Sequence, residues 1–273
     1  MERVRFLHIP KTAGTTFTNI LYNQYSFQQG KFCKKKHFVL LGDSVIDKKN
    51  FSELSEGEKS EVALFIGHAP MVTGVKEADS ATVITFLRDP IARVKSFCQH
   101  VSEGKSQYLI KQFPPETFNL DKFLDSENAE LSNLQTKMLI NGRRNTFPLD
   151  RMSASEARDA ALENLSSKIF LFGLQEFFEE SLIIFSSAFN WKIPFFETKN
   201  AKNTINPIRF EERHIERLAE MNAIDIEVYG KAKDVFMDVI NSEAFDNKKL
   251  KLLLKFNRPF IGKSVKAIRR LSS

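Results

Sequence analysis

Uninterrupted apolar runs alternate along the chain with stretches in which apolar residues recur every three or four positions. The runs RVRFLHI (3–9), VALFIGH (62–68), ATVITFLRDP (81–90) and KIFLFGL (168–174) have the length of strands. Strands that are apolar on both faces are typical of a parallel sheet covered by helices. The helical periods lie at 15–25, from Pro90 to Val101, at 133–140, at 153–165, from 175 to about 189, and at 210–240. The alternation predicts one α/β domain in three layers, with a central, mostly parallel sheet flanked by helices.

Three helix starts are marked by capping residues. Asp89 and Pro90 form an N-cap followed by a proline in the first helical position. Ser153 and Glu156 have the spacing of a capping box. Thr15 and Thr16 are N-cap candidates for the first helix. Residues 26–60 are polar and rich in lysine without a sustained period, so we expect a surface excursion there with one short helix.

The segment HIPKTAGTTF (8–17) joins the first strand to the first helix and resembles a phosphate-binding loop with its lysine misplaced. In a G-x-x-x-x-G-K-[ST] loop the lysine follows the second glycine, whereas here Lys11 comes first and Gly14 is the one glycine. The loop combines a lysine, the amides of a tight turn, two hydroxyls and a helix N-terminus, a set of donors that suits a tetrahedral anion. A plain strand-to-helix turn with a solvated lysine is the alternative.

Arg88 ends the apolar run at 81–90, and Ser96 lies about two turns into the next helix. Ligands of open parallel sheets bind outside the carboxyl ends of the strands, so this pair is placed to hold a second phosphate. An arginine at a strand end that pairs only with Asp89 or another nearby acid is the alternative.

Together, the loop KTAGTT and the segment TFLRDPIARVKSFCQHV resemble the two cofactor motifs of the PAPS-dependent sulfotransferases, in particular the heparan sulfate 2-O- and 6-O-sulfotransferase branch. PAPS is 3′-phosphoadenosine 5′-phosphosulfate. The resemblance implies a P-loop-like fold and two cofactor sites. The 5′-phosphosulfate site comprises Lys11, Thr12, Ala13, Gly14, Thr15 and Thr16, and the 3′-phosphate site comprises Arg88 and Ser96. It extends loosely over residues 3–236, except for 26–60, and ends near 245.

The resemblance also implies PAPS as co-substrate, no metal, and catalytic roles for Lys11 and His68. Lys11, at the mouth of the loop, is placed to stabilise the leaving phosphate, while a neutral imidazole suits a general base. His68 ends a buried strand in the GH context seen in the 2-O branch, and His100, in an HV context similar to the 6-O branch, is the alternative base. Of the other histidines, His8 is predicted to be structural, and His37 and His214 to be solvated.

Basic residues are concentrated at the C-terminal end. Residues 247–273 contain nine Lys or Arg and no acid, which leaves 31 basic and 34 acidic side chains in residues 1–246. We therefore divide the chain into a sulfotransferase domain (1–246) and a basic amphipathic tail (247–273). The tail either lies on an anionic membrane surface or docks on the domain with its charges in water, and the sequence leaves both open.

The remaining composition predicts a cytoplasmic protein that is either free or peripheral at a membrane. Cys33 and Cys98 do not form a disulfide framework, and no apolar run approaches the roughly 20 residues of a membrane span. The strand-like start leaves no room for a signal peptide.

The predicted reaction is transfer of a sulfuryl group from PAPS to a hydroxyl of an acceptor, with a glycan or glycolipid favoured by the resemblance. The alternatives are a P-loop kinase, disfavoured by the position of Lys11, and a non-catalytic module that binds membrane or nucleic acid through the tail. Nucleic acid is not expected as a partner, because basic and aromatic residues do not interleave. The sequence does not determine the oligomeric state. Candidate acceptor-binding residues lie in the loops: Lys34, Lys35, Lys36, Lys105, Arg143 and Arg144.

Overall fold

The computed structural model of the chain describes residues 3–28, 31–32, 38–41, 51, 53–69, 71–140, 152–196 and 206–257. A five-stranded sheet lies at the centre, in the order β4-β5-β1-β6-β7, and every pair of neighbours is parallel. Its strands are β1 (Val4–Leu7), β4 (Phe38–Leu41), β5 (Leu64–Gly67), β6 (Thr82–Leu87) and β7 (Ile169–Leu174). Two short strands, β2 (Phe27–Gln28) and β3 (Lys31–Phe32), pair antiparallel apart from it.

Helices cover both faces of the sheet. In chain order they are α1 (Gly14–Ser26), α2 (Glu56–Glu61), α3 (Lys76–Asp79), α4 (Pro90–Ser102), α5 (Leu120–Leu124), α6 (Leu134–Leu139), α7 (Ala154–Ser167), α8 (Phe178–Ala188), α9 (Glu212–Met221), α10 (Ala223–Asn241) and α11 (Asn247–Phe256). The helices α6, α7 and α10 pack on the side chains of one face, and α1, α8 and α11 pack on the other. The predicted three-layer α/β fold is confirmed.

Alternation along the strands explains why these apolar runs are buried. Val4 and Phe6 of β1 point to the layer that contains Phe17 of α1, whereas Leu7 points to the opposite layer, which contains Val228 of α10. Because successive side chains of a strand point to opposite faces, a sheet covered on both sides favours apolar residues at most positions. The buried polar residues Arg5 and Thr85 are hydrogen-bonded to the carbonyls of Met71 and Leu7. The capping predictions at Asp89 and Ser153 are also confirmed.

Two elements differ from the sequence-based expectation. Residues 210–240 form two helices, α9 and α10, because the backbone of Asn222, with φ −120° and ψ 25°, leaves the helical conformation. Its Nδ2 donates to the carbonyls of Leu131 and Leu218 at 2.8 and 2.9 Å, and its Oδ1 accepts from the amide of Asn133 at 2.9 Å. The polar segment 26–60 contains the predicted short helix, α2, but also the edge strand β4, which the missing period did not predict.

The C-terminal segment begins as a helix docked on the domain. Leu253 of α11 is fully buried in the layer beneath the sheet, and the Phe256 ring lies 5.5 Å from that of Phe195 in an edge contact. The division of the chain at 246/247 stays a prediction, and the rest of the tail, 258–273, lies outside the described residues. Within the described residues, no helix has the length and apolar character that a membrane span requires.

Candidate active site

The central strands β5, β1 and β6 are adjacent and parallel, so their carboxyl ends open at one edge of the sheet. His68 follows β5, the loop 8–13 follows β1, and Arg88 follows β6. A cleft of about 670 Å³ lies at this edge and is lined by side chains from all three segments. The sheet order thus brings together sites that are up to 80 residues apart in the sequence.

The loop after β1 has an unusual backbone. Lys11 and Ala13 have φ values of 70° and 67°, the left-handed region that residues with a Cβ seldom adopt. Thr12, between them, is fully buried, and its hydroxyl donates to the Ile9 carbonyl at 2.8 Å, which fixes the turn from inside. Turns in which left-handed residues alternate with others make concave sites where several amides face one anion.

Helix α1 begins directly at this turn. The Ala13 carbonyl accepts from the amides of Thr16 and Phe17, both at 3.1 Å. The helix therefore starts at Gly14, and the expectation that Thr15 or Thr16 is the N-cap is wrong. The first amides of a helix have no acceptor within it, and they carry the positive end of its dipole. The amides of Gly14 and Thr15 are in this position at the rim of the cleft.

Gly14 is needed because His8 packs against it. A Cβ added at Gly14 would lie 1.8 Å from Nε2 of His8, far inside van der Waals contact. The same imidazole stacks on Phe6 at 5.3 Å between ring centroids and lies 4.3 Å from the ring of His68. His8, predicted to be structural, therefore also lines the cleft.

A hydrogen bond sets the tautomer of His68. Its Nδ1 lies 2.6 Å from the His8 carbonyl, which only accepts, so Nδ1 carries the proton and donates. In the neutral ring the lone pair is then on Nε2. His68 lines the cleft with Lys11, as does the alternative base His100.

Arg88 connects the two predicted anion sites. Its Nη1 donates to the Lys11 carbonyl at 3.0 Å, and both residues line the cleft together with Ser96 of α4. Within the described part of the chain, the buried Nε of Arg88 has no hydrogen-bond partner. A buried guanidinium N–H that faces no protein acceptor is suited to a ligand anion. Asp89 caps α4 through the amide of Ala92 at 2.8 Å.

Burial and like charges shift the titration of the cleft residues. The pKa of Lys11 is lowered to about 8, mainly by burial and then by Arg88 and Lys105, while Glu103 and Glu130 oppose the shift. The pKa of His100 is lowered to about 4 by burial and by Lys11 and Lys105. Burial likewise lowers the pKa of Arg88, against the opposing effect of Glu176 and Asp89. The cleft thus holds a cationic lysine and a neutral His100 near neutral pH.

Curated relatives of the chain have names that agree with the motifs. Heparan-sulfate 6-O-sulfotransferase 2 of Gallus gallus is 25% identical over 273 residues, which cover 86% of this chain and 67% of the relative. Heparan-sulfate 6-O-sulfotransferase 1 of Homo sapiens is 28% identical over 268 residues, which cover 85% and 64%. The chain is homologous to sulfotransferases. It spans about two thirds of the length of these relatives, and the predicted resemblance to the heparan sulfate sulfotransferases is confirmed.

Neither protein-family models nor the following solved structure gives a stronger match than these relatives. No protein-family model matches the chain. The crystal structure of mouse sulfotransferase SULT7A1 complexed with PAP is similar at a TM-score of 0.40 and 10% identity, covering 80% of this chain and 63% of that one.

The sequence-based view of this sulfotransferase homologue missed an acidic residue in the cleft. Glu130 is 1% exposed, lines the cleft, and accepts a hydrogen bond from the Tyr108 hydroxyl. It lies in a 3₁₀ turn (Ala129–Leu131), and no spacing or motif marks it. The aromatic residues Phe178 and Phe196, which line the cleft with rings 5.1 Å apart, were not singled out either.

Other candidate residues lie elsewhere. His214, predicted to be solvated, is 5% exposed: its Nε2 donates to Asp121 at 3.1 Å, and its Nδ1 accepts from the Glu211 amide at 3.0 Å. Cys98 is buried, which raises the pKa of its thiol to about 12. Outside the described residues lie His37, Cys33, Lys34, Lys35, Lys36, Arg143 and Arg144. Among the described residues, no group of three or more His, Cys, Asp or Glu could hold a metal ion.

Proposed function

We propose that this chain transfers the sulfuryl group of PAPS to a hydroxyl group of a carbohydrate acceptor. The observation that carries the proposal is the bond from Arg88 to the Lys11 carbonyl, which joins the two predicted anion sites in one cleft. The donors on offer, a lysine, an arginine with a buried Nε, the hydroxyl of Ser96 and the first amides of α1, fit a nucleotide with two anionic groups.

The residues divide between two ends of the nucleotide. Lys11 and the start of α1, from Gly14 to Thr16, would hold the 5′-phosphosulfate. Arg88 and Ser96 would hold the 3′-phosphate. The rings of Phe178 and Phe196, which are in edge contact at 79°, give an apolar wall on which an adenine fits. Thr12 supports this site by stabilising the turn, because its hydroxyl donates its hydrogen bond to the Ile9 carbonyl.

In the proposed reaction, PAPS supplies an activated sulfuryl group whose bond to the 5′-phosphate oxygen breaks as a bond to the acceptor oxygen forms. Lys11 stabilises the negative charge that develops on the leaving phosphate. His68 accepts the proton of the acceptor hydroxyl at Nε2, because its Nδ1 already donates to the His8 carbonyl. By analogy with phosphoryl transfer, positioning and charge stabilisation supply most of the rate.

Nucleotide binding tests the proposal directly. Calorimetric titration should show that adenosine 3′,5′-bisphosphate binds without metal, and that ATP with Mg²⁺ binds far more weakly. The P-loop kinase alternative requires the opposite order. Tight binding of ATP–Mg²⁺ with no binding of the bisphosphate would contradict the proposed function.

The general base is tested with two matched variants. His68→Ala should leave bisphosphate binding intact and suppress transfer by about a hundredfold or more. His100→Ala should have the smaller effect, since a pKa of about 4 makes His100 a weak base. The reverse order of rates would assign the role to His100.

The acceptor class is supported by the relatives, whose names refer to heparan sulfate. A glycan or glycolipid hydroxyl is therefore the proposed acceptor, and a mass-spectrometric screen of sulfated glycans, in cells with and without the gene, identifies it. A screen in which no sulfated glycan depends on the gene would contradict this acceptor class.

A cytoplasmic location, with peripheral membrane contact through the basic tail, is a separate proposal. The contact is assigned to residues 247–273, since α11 packs on the domain through Leu253 and leaves Leu252 and Leu254 exposed. Co-sedimentation with anionic liposomes should be lost in a chain that ends at residue 246. Equal binding by both chains would remove the tail from the proposal.

A further inference from the structure

A buried glutamine grips the backbone of Arg88 from both sides. Gln135 of α6 is 2% exposed. Its Oε1 accepts from the Arg88 amide at 2.9 Å, and its Nε2 donates to the Arg88 carbonyl at 2.8 Å. The two bonds satisfy both backbone polar groups of Arg88 just where β6 ends and no strand continues the ladder. They also fix the direction in which the Arg88 side chain leaves the backbone.

Gln135 is itself held by the start of α10. Asp225, 1% exposed, accepts from the amides of Gln135 and Thr136 at 3.1 and 2.7 Å. Asn133, at the start of α6, is in the left-handed region with φ 43°, and its Oδ1 accepts from the Asp225 amide at 3.0 Å. The reciprocal bonds fix α6 against α10, and they keep the Gln135 side chain in register with Arg88.

The residue after Arg88 is held from a third element. The Asp89 amide donates to Glu176 at 3.0 Å, and the other Glu176 oxygen accepts from the Tyr229 hydroxyl at 2.8 Å. The turn at Arg88 and Asp89 is therefore fixed by side chains from α6, from the segment before α8 and from α10. Of the two side chains of this turn, Asp89 caps α4 and Arg88 extends into the cleft to the Lys11 carbonyl.

We propose that Gln135 is a positioning residue for nucleotide binding: it holds the Arg88 backbone so that the guanidinium reaches the Lys11 carbonyl and the 3′-phosphate together. The inference rests on the proposed function. A neutral amide is required, because the site needs one acceptor and one donor. A carboxylate would face the Arg88 carbonyl with a second oxygen, and an apolar side chain would leave two backbone groups unsatisfied.

The test compares Gln135→Leu and Gln135→Glu with the wild-type chain. Gln135→Leu should weaken the binding of adenosine 3′,5′-bisphosphate by about tenfold in calorimetry. The substitution removes the two hydrogen bonds that orient Arg88, the arginine proposed to bind the 3′-phosphate. The KM for PAPS should rise by a similar factor, and kcat should fall less. Both variants are first checked for folding by thermal unfolding.

Gln135→Glu is expected to make bisphosphate affinity depend on pH, which a general loss of packing would not do. The ionised carboxylate lacks the donor to the Arg88 carbonyl, whereas the protonated carboxyl group regains it. Relative to wild type, bisphosphate affinity should therefore recover as the pH falls from about 8 towards about 5.5. Gln135→Leu should show no such recovery, and equal pH profiles of the two variants would contradict the proposal.

Asn164→Leu is the matched control. Asn164 is a buried amide on α7 whose Nδ2 donates to the Leu139 carbonyl at 2.8 Å, at the opposite end of α6. This variant should lose a similar amount of stability and keep its bisphosphate affinity within about twofold. Equal weakening of binding in both variants would reduce Gln135 to a packing residue.

Different results would contradict the proposed function and the proposed role of Gln135. If the wild-type chain does not bind the bisphosphate, the proposed function fails. If it binds and Gln135→Leu binds equally well, the role of Gln135 fails. A measurement without ligand tests in either case whether Gln135 holds the Arg88 backbone. Amide hydrogen exchange across residues 84–92 should be faster in Gln135→Leu than in Asn164→Leu. Equal exchange in the two variants would overturn this role of Gln135.

Discussion

The loop after β1 and the turn after β6 both end central parallel strands, and each presents a cationic side chain to the same cleft, yet they are built differently. The first is held by its own backbone: Lys11 and Ala13 at positive φ, with the Thr12 hydroxyl bonded three residues back to Ile9. The second is held by distant side chains, Gln135 and Glu176, which lie 47 and 87 residues away in the sequence. The loop after β1 is strained and held mainly by bonds within itself, with one further bond from Arg88, whereas the β6 turn depends on the packing of other elements.

The difference also separates two chemical tasks. The loop after β1 is expected to act on charge that develops during the reaction, so its loss should appear mainly in kcat. The turn after β6 is expected to bind charge that does not change, so its loss should appear in affinity. The bond from Arg88 to the Lys11 carbonyl is where the two tasks meet.

Lys11→Ala should have the largest effect. We expect kcat to fall by about a hundredfold or more, because the leaving phosphate loses its cation, while bisphosphate affinity falls by less than about tenfold. Steady-state kinetics and calorimetry measure the two quantities. Lys11→Arg, which keeps the charge, should retain more of the rate. A loss of affinity as large as the loss of rate would contradict the assignment of the loop after β1 to the chemical step rather than to binding.

Arg88→Ala comes next. Bisphosphate affinity should fall by about fiftyfold, since a partly buried guanidinium is lost, and kcat should fall by about tenfold because the Lys11 carbonyl loses its donor. Arg88→Lys keeps a charge but not the fork that reaches two acceptors, so it should recover less than half of the lost binding free energy. An unchanged kcat in Arg88→Ala would mean that the two sites act independently.

Gly14→Ala tests the close packing of the first site. The new Cβ would meet His8 Nε2 at 1.8 Å, so either the imidazole or the start of α1 must move. We expect the free energy of unfolding, measured in urea, to fall by about 1–3 kcal/mol. Gly14→Ala should also weaken bisphosphate binding, because the start of α1 lines the proposed site. The double variant Gly14→Ala with His8→Ala removes the clash and should regain this binding. A double variant that is no better than the single one would place the strain elsewhere.

The smallest effect is a pH dependence of the first site. The pKa of Lys11 is lowered to about 8 by burial and by Arg88, so the free protein loses the Lys11 charge as pH rises through that value. The ratio kcat/KM should therefore decline above about pH 8, whereas Lys11→Arg, which stays charged, should show no such decline. An identical alkaline decline in Lys11→Arg would assign it to another group.

The sequence predicted most of the sheet, because the strands β1, β5, β6 and β7 are apolar on both faces and pack on both sides. It also placed the capped helix at Asp89, where one residue signals the start. It did not predict β4, whose partner β5 decides the pairing, or the break at Asn222, whose amide is bonded to Leu131 and Asn133. The expectation of a solvated His214 was wrong for the same reason, since its partner Asp121 is 93 residues away.

By itself, the sequence determined the succession of most strands and helices and predicted that residues 11–16 bind an anion, since both follow from local periodicity and turn chemistry. Only the tertiary structure decided that Glu130 lines the cleft shared by His68, Lys11 and Arg88 and that Gln135 holds Arg88. The physical reason is the range of the interactions. Side-chain period and backbone strain act within a few residues, whereas burial and hydrogen bonds across the sheet join positions that no sequence spacing relates.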